Sequence, residues 1–270
     1  MTHGRIIPFV KASACGNDFL LISQSDSLGQ INIFDLSRRI CDRHNGVGAD
    51  GVEWMSPIAG ADVEIRLINA DGSEAEISGN GTRCVAAYLY SETGKEGVRI
   101  QTGAGLKACT LTRQAGLDYE FEAAMGPASV GPELTVSTTG GVVRGLTVSM
   151  GNPHFVLFVD NFAENWQSSA AEIQRDAAFR AHGVNVELVA VDDTHNVRVR
   201  FFERGVGETQ SSGTGSCAAA VASIAAGKTK SPVHVHAPGG TQMVRQEGAG
   251  VFLRGAARLV CRGEFFPDSV

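Results

Sequence analysis

The chain has 270 residues, 43% apolar and 19% charged, with a net charge of −6. That is the make-up of a globular protein with a sizeable core, not of a disordered chain. The acidic balance, the lack of any basic run and the sparse aromatics (7%) exclude a phosphate-backbone binder, and no stretch approaches the roughly 18 apolar residues that a membrane span requires.

In chain order, residues 6–10 (Ile-Ile-Pro-Phe-Val) precede Lys11 and are too short for a signal-peptide core, so a cytoplasmic protein is expected. Residues 19–22 form a short β-type run. Residues 63–68 alternate in their first part, then comes a Gly-rich turn and an apolar helix from about Asn80 to Gly94. A further β-type run follows at residues 98–100, and Ala124-Met125-Gly126-Pro127 marks the start of a second half. That half repeats the order: strand-like runs at 155–159 and 197–202, a Gly-rich turn, and a helix from about Thr214 to Gly227, a natural left-handed end. Neither helix has a charged face beyond its first turn, which predicts burial within its own half's strands. The six cysteines (Cys15, Cys41, Cys84, Cys109, Cys217 and Cys261) form no CxxC and no zinc-finger spacing, so neither a disulfide scaffold nor a metal is expected. Cys84 and Cys217, inside the helices, read as core, and Cys15 as a buried, inert thiol near Asn17.

The halves are related in sequence. Gly16-Asn17-Asp18-Phe19 recurs loosely as Gly151-Asn152-Pro153-His154-Phe155, 135 residues on. At an offset of 134, seven of the 24 pairs from Val63/Val197 to Ala86/Ala220 are identical, among them Ser78/Ser212, Gly79/Gly213 and Gly81/Gly215. Two blocks at nearly one offset point to duplicated halves.

The repeated turns, Ser78-Gly79-Asn80-Gly81 and Ser212-Gly213-Thr214-Gly215, each set a hydroxyl and two glycines at a helix start. One such turn is an ordinary N-cap. Two of them, each with the positive end of a helix dipole, suit a shared carboxylate. Asn69 and Glu203 each lie nine residues before their turn, Glu203 is followed by Arg204, and Asn17 and Asn152 occupy equivalent places. Amides and a guanidinium there suit recognition of carboxylate and ammonium groups.

Along its whole length the sequence resembles diaminopimelate epimerases. The resemblance is carried by Gly16-Asn17-Asp18-Phe19, Arg43-His44-Asn45-Gly46-Val47-Gly48, Asn69-Ala70-Asp71-Gly72-Ser73-Glu74, Gly79-Asn80-Gly81-Thr82-Arg83-Cys84 and Gly151-Asn152-Pro153-His154. Asn185-Val186-Glu187, Glu203-Arg204-Gly205-Val206-Gly207-Glu208-Thr209 and Ser212-Gly213-Thr214-Gly215-Ser216-Cys217 complete it.

The resemblance implies an α+β fold of two pseudo-symmetric halves, each a curled, mostly antiparallel sheet wrapped around a central buried helix. The halves would be 1–121 with 260–270, and 122–259, with the active site in the cleft between them. It implies a cofactor-independent interconversion of LL- and meso-diaminopimelate, a diamino dicarboxylic acid, for lysine and peptidoglycan precursor synthesis, by a homodimer. Gly79, Asn80, Gly213 and Thr214 would hold the α-carboxylate. Asn17, Asn69, Asn152, Asn185, Glu203 and Arg204 would read the rest of the substrate, and His154 and Glu203 would tune the acid/base pair.

At the two proton-transfer positions the resemblance implies cysteines, but this sequence has Ser78 and Ser212. A serine hydroxyl is far less acidic than a thiol and needs an adjacent base. Three readings therefore stand: an epimerase that works through serine, a Cys-to-Ser variant that traps substrate, or a relative on the same fold. The last would be an organic-acid isomerase or a silent binding protein.

Overall fold

The computed structural model describes residues 6–24 and 32–267; residues 1–5, 25–31 and 268–270 lie outside the described set. Side-chain alternation sets the strands. In β4 (Val63–Asn69), Val63, Ile65, Leu67 and Ile68 are buried while Arg66 is exposed. The result is a mixed, sheet-rich α+β fold.

The chain divides into two compact units, one holding the described residues up to Ala123 and from Gly255 onward, the other Ala124–Arg254. The first unit is built on β1 (Ile7–Ala14), β2 (Asn17–Ser23), β3 (Gly51–Ser56), β4, β5 (Glu74–Ala75), β6 (Gly97–Thr102) and β7 (Gly105–Ala115). From β1 through β2, β3, β4 and β6 to β7 the pairings run antiparallel, parallel, antiparallel, parallel, antiparallel. The chain leaves this unit within β8 (Asp118–Pro127) and returns within β17 (Gly250–Phe265).

The second unit holds β9 (Ser129–Thr138), β10 (Gly141–Ser149), β11 (Pro153–Phe158), β12 (Asn185–Val191), β13 (Asn196–Glu203), β14 (Gly207–Thr209), β15 (Val233–Ala237) and β16 (Gly240–Glu247). From β10 through β11, β12, β13 and β15 to β16 the same succession of pairings recurs.

Four helices pack on these strands: α1 (Ile33–Cys41), α2 (Gly79–Thr93), α3 (Trp166–Arg175) and α4 (Gly213–Ala225). Cys84 through Ala87 of α2 lie in one apolar core with Leu21, Leu67 and Ile100. Cys217 through Ala222 of α4 lie in another with Val199, Phe201 and Val235. Helix α2 is not buried throughout: its last residues, Ser91, Glu92 and Thr93, are polar and exposed.

It ends on Gly94 at φ 71°, whose N–H donates to Tyr90 O at 2.7 Å. Helix α4 is capped at Ala226, with Gly227 (φ 67°) in the left-handed position just beyond it. The Gly227 N–H donates to Ile224 O and the Lys228 N–H to Ser223 O, which closes the end as a Schellman motif.

Both smaller helices escaped the sequence reading. Helix α1 is capped by Asn32 Oδ1, which accepts from Phe34 N at 3.0 Å, and it buries Leu36 and Ile40. On its inner face Ser37, fully buried, accepts a 2.9 Å hydrogen bond from the Trp54 indole. Ser37→Ala should therefore lower stability by about 1–3 kcal/mol. The check is the urea midpoint, and an unshifted value would mean the indole finds another partner. No helix among the described residues is long and apolar enough to cross a membrane.

Candidate functional site at two serine-capped helix starts

Ser78 and Ser212 both stand at N-caps in extended conformation, φ −119° and −141°. Ser78 Oγ accepts from Gly81 N at 3.1 Å, and Ser212 Oγ from Gly215 N at 3.2 Å. The backbone carbonyls of the same serines accept from Thr82 N and Ser216 N. Each hydroxyl thus sits over the first turn of a helix, where the unsatisfied amides concentrate positive charge.

In the first unit the cap is braced by a polar chain. Asn17, at the start of β2, donates to Asp50 Oδ2 at 2.9 Å and accepts from Asn80 Nδ2 at 2.8 Å. Asn80 Oδ1 accepts from the buried Arg83 guanidinium. Arg83 also reaches Ala256 O at 3.4 Å and Cys15 Sγ at 3.7 Å. Cys15 holds a left-handed backbone, φ 47°, beside Gly16, so this thiol borders the network and is only half-buried.

Asp18 bonds Lys11 at 2.9 Å and Arg43 at 2.8 Å. Burial pushes its carboxyl up, but the two cations outweigh that and hold it below the ordinary range. Asn69 ends β4 and donates to Ser73 Oγ at 3.0 Å.

In the second unit the equivalent amide also meets its cap residue, as donor where Asn17 is acceptor. Asn152 Nδ2 donates to Thr214 Oγ1 at 3.4 Å. Asn152 Oδ1 faces His154 Nε2 at 3.0 Å, and His154 Nδ1 faces Glu187 Oε1 at 2.7 Å. Both ring nitrogens of this buried histidine are thus held in hydrogen bonds. Burial pushes Glu187 up, against the pull of His154.

The carboxyl bonded to His154 is therefore Glu187, a residue to which the sequence reading gave no role. Glu203 sits half-buried at the end of β13, near enough to oppose ionisation of Glu187. Asn185 donates to Pro153 O at 3.3 Å and accepts from Arg204 N at 2.9 Å, so its amide fixes backbone. The exposed Arg204 guanidinium donates to His182 O. Gly79 and Gly213 open the two helices.

A family model described as diaminopimelate epimerase matches residues 9–130 and 146–260. The chain belongs to the diaminopimelate epimerase family. A curated diaminopimelate epimerase from Pelotomaculum thermopropionicum is 38% identical, covering 95% of this chain and 98% of that protein. Among solved structures, a phenazine biosynthesis protein of the PhzF family from Bacillus anthracis aligns with a TM-score of 0.71 at 14% identity, covering 96% of this chain and 98% of that one. A hydroxyproline epimerase from Agrobacterium vitis, with bound trans-4-hydroxy-L-proline, aligns at 0.69 and 16%, covering 96% and 91%. These structural likenesses speak for the fold. Family and relatives together indicate an isomerase of the epimerase type.

Three family-member residues near the caps went unassigned in the sequence: Arg83, Glu187 and Glu53. Glu53 lies on β3 between Leu21 and Leu67 of the adjacent strands. It is fully buried, and neither carboxyl oxygen has a hydrogen-bond partner among the described residues. Burial alone pushes it up to about 8. A signal for it existed: the offset of 134 that pairs Gly81 with Gly215 also pairs Glu53 with Glu187. Among the described residues no group of three or more His, Cys, Asp or Glu is placed to hold a metal.

Proposed function

We propose that this protein is a cofactor-independent epimerase that interconverts LL- and meso-diaminopimelate by two-base proton transfer at the α-carbon, one group removing the proton and the other supplying a new one to the opposite face. Ser78 and Ser212 stand at the two proton-transfer positions, and no metal or organic cofactor takes part. What supports the reading is the matched pair of serine-capped helix starts, each braced by the equivalent asparagine, in a chain of this family.

Gly79 and Asn80 begin one helix, Gly213 and Thr214 the other, and their positive ends suit a carboxylate. As the α-proton leaves, negative charge spreads from carbon into that carboxylate. Dipoles already in place then stabilise the transition state more than the ground state. Asn17, Asn69, Asn152, Asn185, Glu203 and Arg204 would recognise the remaining amino-acid groups of the substrate. His154 and Glu203 would tune the proton transfer. The reading further places the enzyme in the cytoplasm as a homodimer, in lysine and peptidoglycan precursor synthesis.

The test is proton NMR of LL-diaminopimelate with the protein in D₂O. Loss of the α-proton signal with appearance of the meso isomer is the expected result. Ligand line-broadening with an unchanged α-proton would make the chain a binder without turnover. No broadening at all would remove diaminopimelate as its ligand.

A further inference from the structure

A serine that moves a proton needs a partner to take its own. The repeated glycine of each cap shows where such a partner lies. A Cβ added to Gly81 would fall 1.9 Å from Glu53 Oε1, while the Gly81 N–H donates to Ser78 Oγ. A Cβ added to Gly215 would fall 2.9 Å from both Glu187 Oε1 and Ser212 Oγ. Those two oxygens are therefore no more than twice that distance apart, across a space that only glycine leaves open. In each unit a fully buried carboxyl presses on the turn that its serine caps, and each keeps at least one oxygen without a partner among the described residues. A buried carboxyl without hydrogen bonds costs stability, so the fold gains nothing from Glu53 by holding it there.

We infer that Glu53 and Glu187 are positioning residues that hold and return the hydroxyl protons of Ser78 and Ser212. The inference rests on the epimerase reading above and adds to it the missing base. In one direction the α-carbon's C–H bond breaks and its electron pair stays on the substrate. The proton passes to Ser212 Oγ while the Ser212 hydroxyl proton moves to the Glu187 carboxylate. At the other serine the Ser78 hydroxyl proton forms the new C–H bond with that electron pair, and the Glu53 carboxylic acid reprotonates Ser78 Oγ. One carboxyl gains a proton and the other loses one, so charge balances and the serines end unchanged. The reverse reaction, or exchange with water, restores the starting state. The two carboxyls begin in different states because their surroundings differ. Glu187 is hydrogen-bonded to His154, which favours its carboxylate, whereas Glu53 has no hydrogen-bond partner among the described residues and burial favours its neutral form.

The experiment compares E53Q and E187Q in the serine protein and in an S78C/S212C background, by α-proton exchange from LL-diaminopimelate in D₂O. In the serine protein each substitution should lower kcat about 100-fold with KM little changed. With cysteines, whose thiols ionise unaided, the same substitutions should cost less than about 5-fold. A structural role would give equal losses in both backgrounds, which would overturn the inference. So would an undiminished rate in serine E53Q and E187Q. A serine protein that is silent while the cysteine variant works would overturn it too, and leave the substrate assignment standing. Silence of both would sink the epimerase reading and this inference with it. E53Q replaces a group that makes no hydrogen bond, so it decides the matter should E187Q fail to fold; Glu53→Asp, which draws the carboxyl back from Gly81, supplies the same comparison.

Discussion

Replacing Ser78 and Ser212 together by cysteine is expected to raise the rate of α-proton exchange from diaminopimelate roughly 100-fold or more. The reason is acidity. A thiol ionises near pH 8.5, and the positive end of a helix lowers that further, so a usable thiolate exists at neutral pH. Each unit of acidity is worth about 1.4 kcal/mol, or a factor of ten, so a gap of several units dominates the barrier.

Both positions must change. With one serine left, that serine's half of the transfer still limits turnover, so the single variants should gain little. KM should hold, because Gly79, Asn80, Gly213 and Thr214 are untouched. Stability should move the other way. Sulfur is a weak acceptor, and the 3.1 Å and 3.2 Å caps from Gly81 N and Gly215 N would each weaken by about 1 kcal/mol. A pair of cysteines that exchanges no faster than the serines would mean that the side chains at 78 and 212 do not carry the proton.

The caps themselves were legible in the residues, and for a plain reason. Cap chemistry is local: a Ser three residues before a Gly, followed by an apolar run, specifies an N-terminus without help from the rest of the chain. The bounds of α2 and α4 accordingly fall within a residue or so of the expected ones, and Gly94 and Gly227 end them in left-handed conformation. The strands at 63–69 and 196–203 were legible through alternation.

Helices α1 and α3 were not: α3 buries only Trp166, Ala170 and Ile173, too few to set a period, whereas α1 buries Ile33, Leu36, Ser37, Ile40 and Cys41 at helical spacing, a signal in the residues that the reading passed over. Glu53 was hidden differently. In sequence it stands in Gly51-Val52-Glu53-Trp54-Met55, where an exposed strand position is the ordinary reading of a glutamate. Only the contact with Gly81, 28 residues away, turns it into a buried acid beside a cap. The contact of His154 with Glu187 was hidden for a similar reason. Parallel pairing of β11 with β12 sets His154 opposite Asn185, and Glu187 lies two residues further on the same face, whereas Glu203 ends a strand one place removed.

Glu53 should also leave a signature in stability that does not depend on any substrate. Unfolded, its carboxyl titrates near the ordinary 4.5; folded, burial pushes it up to about 8. Between those values the unfolded chain has released a proton that the folded chain still holds, so rising pH favours unfolding. The group therefore contributes its full share below about pH 4.5 and loses it progressively towards pH 8. A difference of this size corresponds to something on the order of 4 kcal/mol across that window.

Burial is the cause of the shift, and no charge among the described residues offsets it. Leu21 and Leu67 flank Glu53 in the sheet, and the titratable side chain that feels it, Cys84, stays protonated because burial pushes its own thiol far up. Glu53→Gln removes the titration while keeping the shape. Near pH 5 the variant should match the unsubstituted protein or fall slightly below it, since one neutral buried polar group replaces another. Near pH 8 it should be the more stable of the two by several kcal/mol, so the two curves of urea midpoint against pH should separate steadily between pH 5 and 8. Parallel curves would mean that Glu53 is ionised and partnered in the folded protein. The same carboxyl that makes the fold less stable at neutral pH is the one placed to serve Ser78, and the two measurements, one of stability and one of proton exchange, read that single group independently.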